Sequence, residues 1–227
     1  MKIGIVIPTY RRKDGKSPAL LRRCVESVTA QTYQNYKLFI IGDHYENDAE
    51  ILPIIPKNAI YENMPYAKER DIYSGHQLWC SGGGHSYRYA LRKLIAAGYD
   101  YLISLDHDEW WRPDHLQLLY ENMPFAWACT KSTQIGNKFL PNIETDKKVI
   151  PFLPKPSGVI HSSVCWNHSL LPLMSRNVFE ETGVVVPGDV DLWKRMAVYI
   201  KERGLRSIFI NELTNFRDSA QYARRKK

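Results

Sequence analysis

The sequence predicts an α/β fold, a single domain built on a mainly parallel sheet with helices on both faces. Short apolar runs alternate with stretches whose apolar residues recur at helical spacing, each run stops at a polar turn, and 227 residues can bury one sizeable core. Residues 3 to 7 are apolar and mostly β-branched apart from Gly4, and Pro8 ends the run, which reads as a buried strand. Ser17-Pro18 then supplies an N-cap and a first-turn proline for a helix whose inner stripe is Leu20, Leu21, Cys24, Val25 and Val28. Leu38 to Ile41 is a second strand, stopped by Gly42-Asp43-His44, and it completes a strand-helix-strand unit.

The pattern recurs downstream. Gly82-Gly83-Gly84 opens a helix with Tyr87, Ala90, Leu91, Leu94 and Ile95 on one face, and Gly98 stops it. Tyr101 to Leu105 is a strand ending at Asp106-His107-Asp108-Glu109, after which Pro113 starts a short helix carrying Leu116, Leu119 and Tyr120. Residues 132 to 172, rich in Pro, Asn and Ser, read as an irregular insertion with short strands near Val149 and at Val159 to His161. A helix from about Asp189 to Arg203 and a strand at Ser207 to Ile210 close the domain, and the chain after Thr214 reads as a flexible flap.

A hydrophobic share of 44% and a charged share of 24% are ordinary for a globular chain, and no stretch approaches the ~20 apolar residues of a membrane span. The apolar run at the N-terminus is too short for a signal peptide, so a cytoplasmic location is expected. Cys24, Cys80, Cys129 and Cys165 are scattered without a CxxC pair, which argues against a zinc ribbon or a redox motif and for reduced structural thiols. The net charge of +7 suits nucleic acid, an anionic membrane surface or a phosphate-bearing small substrate. Arg224-Arg225-Lys226-Lys227 reads as a solvated tail or a peripheral membrane contact.

In open α/β sheets ligands bind at the carboxyl ends of the strands, which here carry Pro8-Thr9-Tyr10-Arg11, Asp43 and Asp106-His107-Asp108. Asp106 and Asp108, two apart at a strand end, can both reach one hard cation such as Mg²⁺ or Mn²⁺, and a diphosphate would complete its shell. An isolated pair of this kind is otherwise a solvated acidic turn.

Several segments taken in order resemble the inverting glycosyltransferases of family 2, which have the GT-A fold. Ile3 to Arg11 is similar to that family's opening strand and nucleotide-binding turn. Asp43 stands where a uracil-contacting aspartate is expected, Gly84 to Leu94 with Arg88 resembles a glycine-then-arginine helix, and Leu105 to Asp108 resembles the metal motif. Met174 to Gly183 is similar to the segment before the acceptor site, and Gly188 to Arg195 resembles the catalytic-base motif. This chain departs from the family at Gly188, where Glu is common, at Gly42, where a second acid is common, and at Ser219, where Phe216-Arg217-Asp218-Ser219 stands for Tyr-Arg-x-His.

The resemblance implies a nucleotide-sugar-binding half over residues 1–110, an acceptor-binding half over 111–215 and a flexible basic tail over 216–227. It implies a nucleotide-sugar donor, by resemblance UDP-linked, and an acceptor hydroxyl on a glycan or similar molecule. Pro8, Thr9, Tyr10, Arg11, Asp43, Arg88, Asp106 and His107 are the expected nucleotide-sugar contacts, since guanidinium groups such as those of Arg11 and Arg88 pair bidentately with phosphate. Asp106 and Asp108 are the expected metal ligands. Trp110, Trp111, Trp166 and His168 are candidates for the sugar and acceptor pocket, with core packing the plain alternative for each tryptophan. Asp189 is the expected base, with Asp191 the alternate: on a helix turning by roughly 100° per residue, Leu192, Trp193, Met196 and Ile200 define a face on which Asp189 also lies, while Asp191 falls nearly opposite. A nucleotidyltransferase would put a glycine-rich basic loop after the first strand, where this chain has Pro8-Thr9-Tyr10-Arg11-Arg12. No recognised nucleic-acid motif accompanies the dispersed positive charge.

Overall fold

The computed structural model describes residues 1–134, 138–175 and 186–217. Its strands are β1 (Ile3–Thr9), β2 (Tyr36–Gly42), β3 (Ile60–Asn63), β4 (Tyr101–Ser104), β5 (Glu109–Trp111), β6 (Trp127–Gln134), β7 (Lys138–Leu140), β8 (Val149–Pro151), β9 (Val164–Asn167) and β10 (Ser207–Arg217). The helices are α1 (Ser17–Thr29), α2 (Lys68–Ile72), α3 (Gly75–Ser81), α4 (Gly84–Ala96), α5 (His115–Glu121) and α6 (Gly188–Glu202). All ten strands join one sheet in the order β3-β2-β1-β4-β9-β6-β10-β5, with β7 on β6 and β8 on β10. Strands β1 to β4 pair in parallel, as the strand-helix alternation predicts, and β6 and β10 are also parallel. Strand β9 enters antiparallel between β4 and β6, and β5, β7 and β8 add antiparallel edges.

Alternation along β1 divides the core between the two faces of the sheet. Ile3, Ile5 and Ile7 pack with Leu21, Cys24, Val25 and Val28 of α1, while Val6 packs with Tyr87, Leu91 and Leu94 of α4 and Trp193 and Met196 of α6. Gly4 lets α4 sit close, since a Cβ there would lie 2.9 Å from Leu94 Cδ1. Helix α4 itself starts after Gly83, whose φ of +76° favours glycine, and ends before Gly98 at +81°.

Four sequence expectations change. Ser17 does not cap α1; its Oγ donates to the Tyr10 carbonyl at 2.8 Å and accepts from the Arg12 N–H at 2.8 Å, so it shapes the turn after β1. The stretch read as an irregular insertion holds the end of β6 and all of β7 to β9, the strand expected near Val149 being β8, and it completes the sheet, because Val164, Cys165 and Trp166 are buried between two neighbouring strands. Val159 to His161 is not a strand; the pairing falls on Val164–Asn167, after a 3-10 turn at His161–Ser163. The flap expected after Thr214 is strand as far as Arg217, since Asn215, Phe216 and Arg217 pair with β5. The basic tail from residue 218, Asp218 and Ser219 with it, and most of the segment Met174 to Gly183 lie outside the described residues.

The cysteines are free thiols, and burial raises those of Cys24, Cys129 and Cys165, in keeping with a structural role. Among the described residues no helix is long and apolar enough to cross a membrane.

Candidate functional site

Three turns meet at the carboxyl edge of the parallel strands. The backbone N–H of Asp43, after β2, donates to the Thr9 carbonyl at 2.7 Å, and the Leu105 N–H, after β4, donates to the Val6 carbonyl at 2.9 Å. The turns are thereby locked together before any side chain is considered. Oγ1 of Thr9, Oδ1 of Asp43 and Nε2 of His107 are buried here without a hydrogen-bond partner among the described residues, and buried polar atoms seldom stay unpaired in a working site.

The acidic turn sits at the centre. Carboxylate oxygens of Asp106, Asp108 and Glu109 all lie within 4.8 Å of one another. The turn is propped from several elements. The Asp106 N–H donates to Ser162 Oγ at 3.0 Å, Arg23 Nη2 of α1 donates to the Asp108 carbonyl at 2.9 Å, and the Cys24 thiol reaches the Asp106 carbonyl at 3.6 Å. Burial, and next the charge of Asp108, push Asp106 up from the usual carboxylate range; burial and Asp106 push Glu109 up to about 8. These groups are costly to ionise together, and cationic neighbours offset part of that cost. Arg12 lies 3.4 Å from Asp108, Arg217 lies 2.7 Å from Glu109, and Asn215 Nδ2 donates to Glu109 Oε2 at 3.0 Å. A divalent cation held by the same oxygens would relieve the repulsion further, so the donor set fits a hard metal.

Beside the turn after β1, Asp43 is held by Arg70, whose Nε donates to Oδ2 at 3.1 Å and whose guanidinium carbon lies 5.4 Å from the Tyr10 ring centre. Burial raises Asp43 and Arg70 opposes it. His107 meets the Tyr10 ring edge-on at 5.2 Å, and burial lowers its pKa while Asp108 and Asp106 oppose it. Arg88 lies 3.8 Å from the buried carboxylate of Glu69.

Not every expected residue comes to this edge. Arg11 turns to Glu50 at 3.1 Å, and Arg12 is the arginine beside the acids. Trp110 is half-buried next to them, under the Arg23 guanidinium at 3.8 Å and stacked on Phe216 at 5.8 Å. Trp111 is a core residue instead: it is 2% exposed, stacks on His115 at 4.5 Å and donates through Nε1 to the Ser162 carbonyl at 2.8 Å. Trp166 likewise is 1% exposed in the core on the α4 and α6 side, so it is not a pocket residue. His168 is placed at the opposite edge of the sheet, where its N–H donates to the Asp100 carbonyl at 2.9 Å, before β4 begins. Neither reaches the edge where the three turns meet, because strand alternation buries the one and strand polarity carries the other away.

Helix α6 starts after Pro187, so Asp189 is inside its first turn and helical spacing governs its direction. Leu192, Trp193, Met196 and Ile200 are buried as their spacing predicts, and Asp189 is half-buried on that side, its charge felt by the Cys80 thiol of α3. Asp191 is engaged by Arg195 at 2.7 Å, one turn along.

Sequence reasoning missed Arg12, Arg23, Glu109 and Arg217. Glu109 had a signal, a third acid directly after the pair. For Arg12 and Arg23 the proximity arises only from tertiary packing; Arg217 had a signal in the segment Phe216 to Ser219, and the register of β10 on β5 carries it to Glu109.

Residues 4–182 match the family model for glycosyl transferase family 2. An uncharacterized glycosyltransferase of Acanthamoeba polyphaga mimivirus is 34% identical over 232 residues, covering 94% of this chain and 92% of that protein. The succinoglycan biosynthesis protein ExoW of Rhizobium meliloti (strain 1021) is 30% identical over 122 residues, 54% of this chain and 34% of the relative. Among solved structures, S. aureus TarS in complex with UDP-GlcNAc superposes with a TM-score of 0.66 at 10% identity, over 95% of this chain and 58% of that one, a likeness of fold. This chain therefore spans about a third of ExoW and less than two thirds of that TarS chain. A family model covering most of the chain and a relative similar over nearly its whole length agree: this chain belongs to glycosyl transferase family 2 and is a glycosyltransferase.

Proposed function

We propose that the enzyme moves a sugar from a UDP-linked donor to a hydroxyl of a glycan or similar acceptor, dependent on a divalent metal and with inversion at the anomeric carbon. The cluster of Asp106, Asp108 and Glu109 within 4.8 Å at the ligand-binding edge carries this reading. The UDP and UDP-GlcNAc complexes of TarS, similar in fold, support uridine diphosphate as the carrier. Asp106 and Asp108, with Glu109 beside them, would hold Mn²⁺ or Mg²⁺, which when bound supplies charge stabilisation for the departing diphosphate.

The chain's own groups account for the rest. The turn Pro8 to Tyr10 and Asp43 receive the nucleoside, with Asp43 oriented by Arg70. Arg12 and Arg88 hold phosphate oxygens, His107 packs under Tyr10, and Trp110 offers a ring face to a sugar. Asp189 takes the proton of the acceptor hydroxyl, whose oxygen attacks the anomeric carbon from the face opposite the diphosphate. The carbon–oxygen bond to UDP breaks, and its electron pair leaves with UDP.

The test is the stereochemistry of the product with an α-linked UDP-sugar, read by proton NMR before anomers equilibrate. A β product that disappears with chelator or in Asp106→Asn is expected; an α product would contradict the single displacement.

A further inference from the structure

We infer that α3 carries a saccharide-binding subsite, an aromatic platform of His76 and Trp79 that holds the acceptor beside Asp189. The inference rests on Asp189 being the base.

His76 and Trp79 are three apart on α3, so they share a face, and their rings stack with centres 5.5 Å apart and planes 18° from parallel. Trp79 is nevertheless 61% exposed. Its indole, stacked on the His76 ring and open to water, presents a flat aromatic surface. The platform is continuous with the base. His76 Nε2 lies 3.7 Å from the Cys80 thiol, one turn further on, and that thiol feels the charge of Asp189. The Cys80 carbonyl would be 3.5 Å from a Cβ on Gly188, so the end of α3 abuts the first residue of α6. Trp79, His76, Cys80 and Asp189 thus follow one another across one surface.

The chemistry of that surface selects the occupant. A pyranose has an apolar face of C–H bonds, which lies flat on an aromatic ring, and a rim of hydroxyls, which need polar partners. Trp79 supplies the first and the exposed His76 the second. A hydroxyl of a ring seated there would extend toward Asp189.

Saccharide binding is tested with the whole chain, ¹⁵N-labelled and loaded with UDP and Mn²⁺. Gluco-, galacto-, manno- and N-acetylglucosamine oligosaccharides are titrated in while the indole resonances are followed, that of Trp79 being identified through Trp79→Phe. Saturable movement of the Trp79 signal with one saccharide class is expected. Calorimetry should then show affinity weakened at least tenfold in Trp79→Ala and in His76→Ala, but retained in Asp106→Asn, which loses Mn²⁺-dependent UDP binding. Saccharide binding that leaves Trp79 unmoved and survives Trp79→Ala overturns the subsite, as does a panel in which nothing binds. Movement of the Trp79 signal with phosphatidylglycerol vesicles or on concentrating the protein, and not with saccharide, also overturns it and assigns the patch to a membrane or a second copy. Failure of the unsubstituted protein to bind UDP with Mn²⁺ contradicts the donor reading, and the indole titration without UDP then decides the subsite by itself.

Discussion

Asp189 and Asp191 are two residues apart in the first turn of α6 yet have different surroundings. Asp191 is bound to Arg195 at 2.7 Å, with both side chains 20% exposed, an i,i+4 pair that contributes about 0.3–0.5 kcal/mol. Asp189 is half-buried and lies beside Cys80. Asp189→Asn should therefore lower turnover at least ~100-fold with UDP affinity retained, the scale of losing a general base, while Asp191→Asn should mainly lower the melting point slightly. Steady-state kinetics of the two variants decide it, and the reverse pattern would give the base role to Asp191. At this scale the sequence is informative where position speaks: the acids stand at a strand end, and helical spacing separates Asp189 from Asp191. It is silent on Arg12 against Arg11, since adjacent identical residues differ only in the turn that Ser17 shapes.

Elements explain why two aromatic candidates left the site. Strand β9 is central, and Trp166 packs with Trp127 and Trp193 in the core between the sheet and α4 and α6. Trp166→Ala should cost about 3–5 kcal/mol of stability in denaturant unfolding, as loss of a buried tryptophan does. An acceptor KM raised with stability intact would restore it to the pocket. Trp111 belongs to a second layer with His115, which is buried, stacked on it, and 2.6 Å from Thr214 Oγ1. Burial holds His115 down at about 3, against 6.5 for a free histidine. Between those values the unfolded chain takes up a proton that the folded chain does not, so stability falls as pH drops below about 6.5. The slope approaches ~1.4 kcal/mol per pH unit for one proton. Urea midpoints at pH 7, 6 and 5 should show this dependence reduced in His115→Gln, and an unchanged slope would show that His115 does not carry it. Strands β1, β2 and β4 were legible because they are continuous apolar runs, whereas β3, with Glu62 and Asn63 in its four residues, was not read. Strands β6 and β9 were hidden by Thr, Ser, Asn and Cys, whose burial depends on neighbours far away in the chain, and β5 has only three residues and lacks a pattern of its own.

For the whole molecule, the net charge of +7 is not spread evenly with respect to function: Arg12, Arg23 and Arg217 gather around three carboxylates. An anionic ligand with its own cation is the arrangement that uses both signs, and a diphosphate bound through a divalent metal is one. A ligand that binds only the folded state stabilises it by about 2.7 kcal/mol at a hundred times its dissociation constant, which for a chain of this size raises the melting point by roughly 5–10 °C. The most direct measurement is the melting temperature with UDP in saturating excess, with and without Mn²⁺, for the unsubstituted chain and for Asp106→Asn. A rise of that size that requires both UDP and Mn²⁺ and is absent in Asp106→Asn is predicted; an equal rise in the presence of chelator, or in Asp106→Asn, would contradict the metal-held donor site.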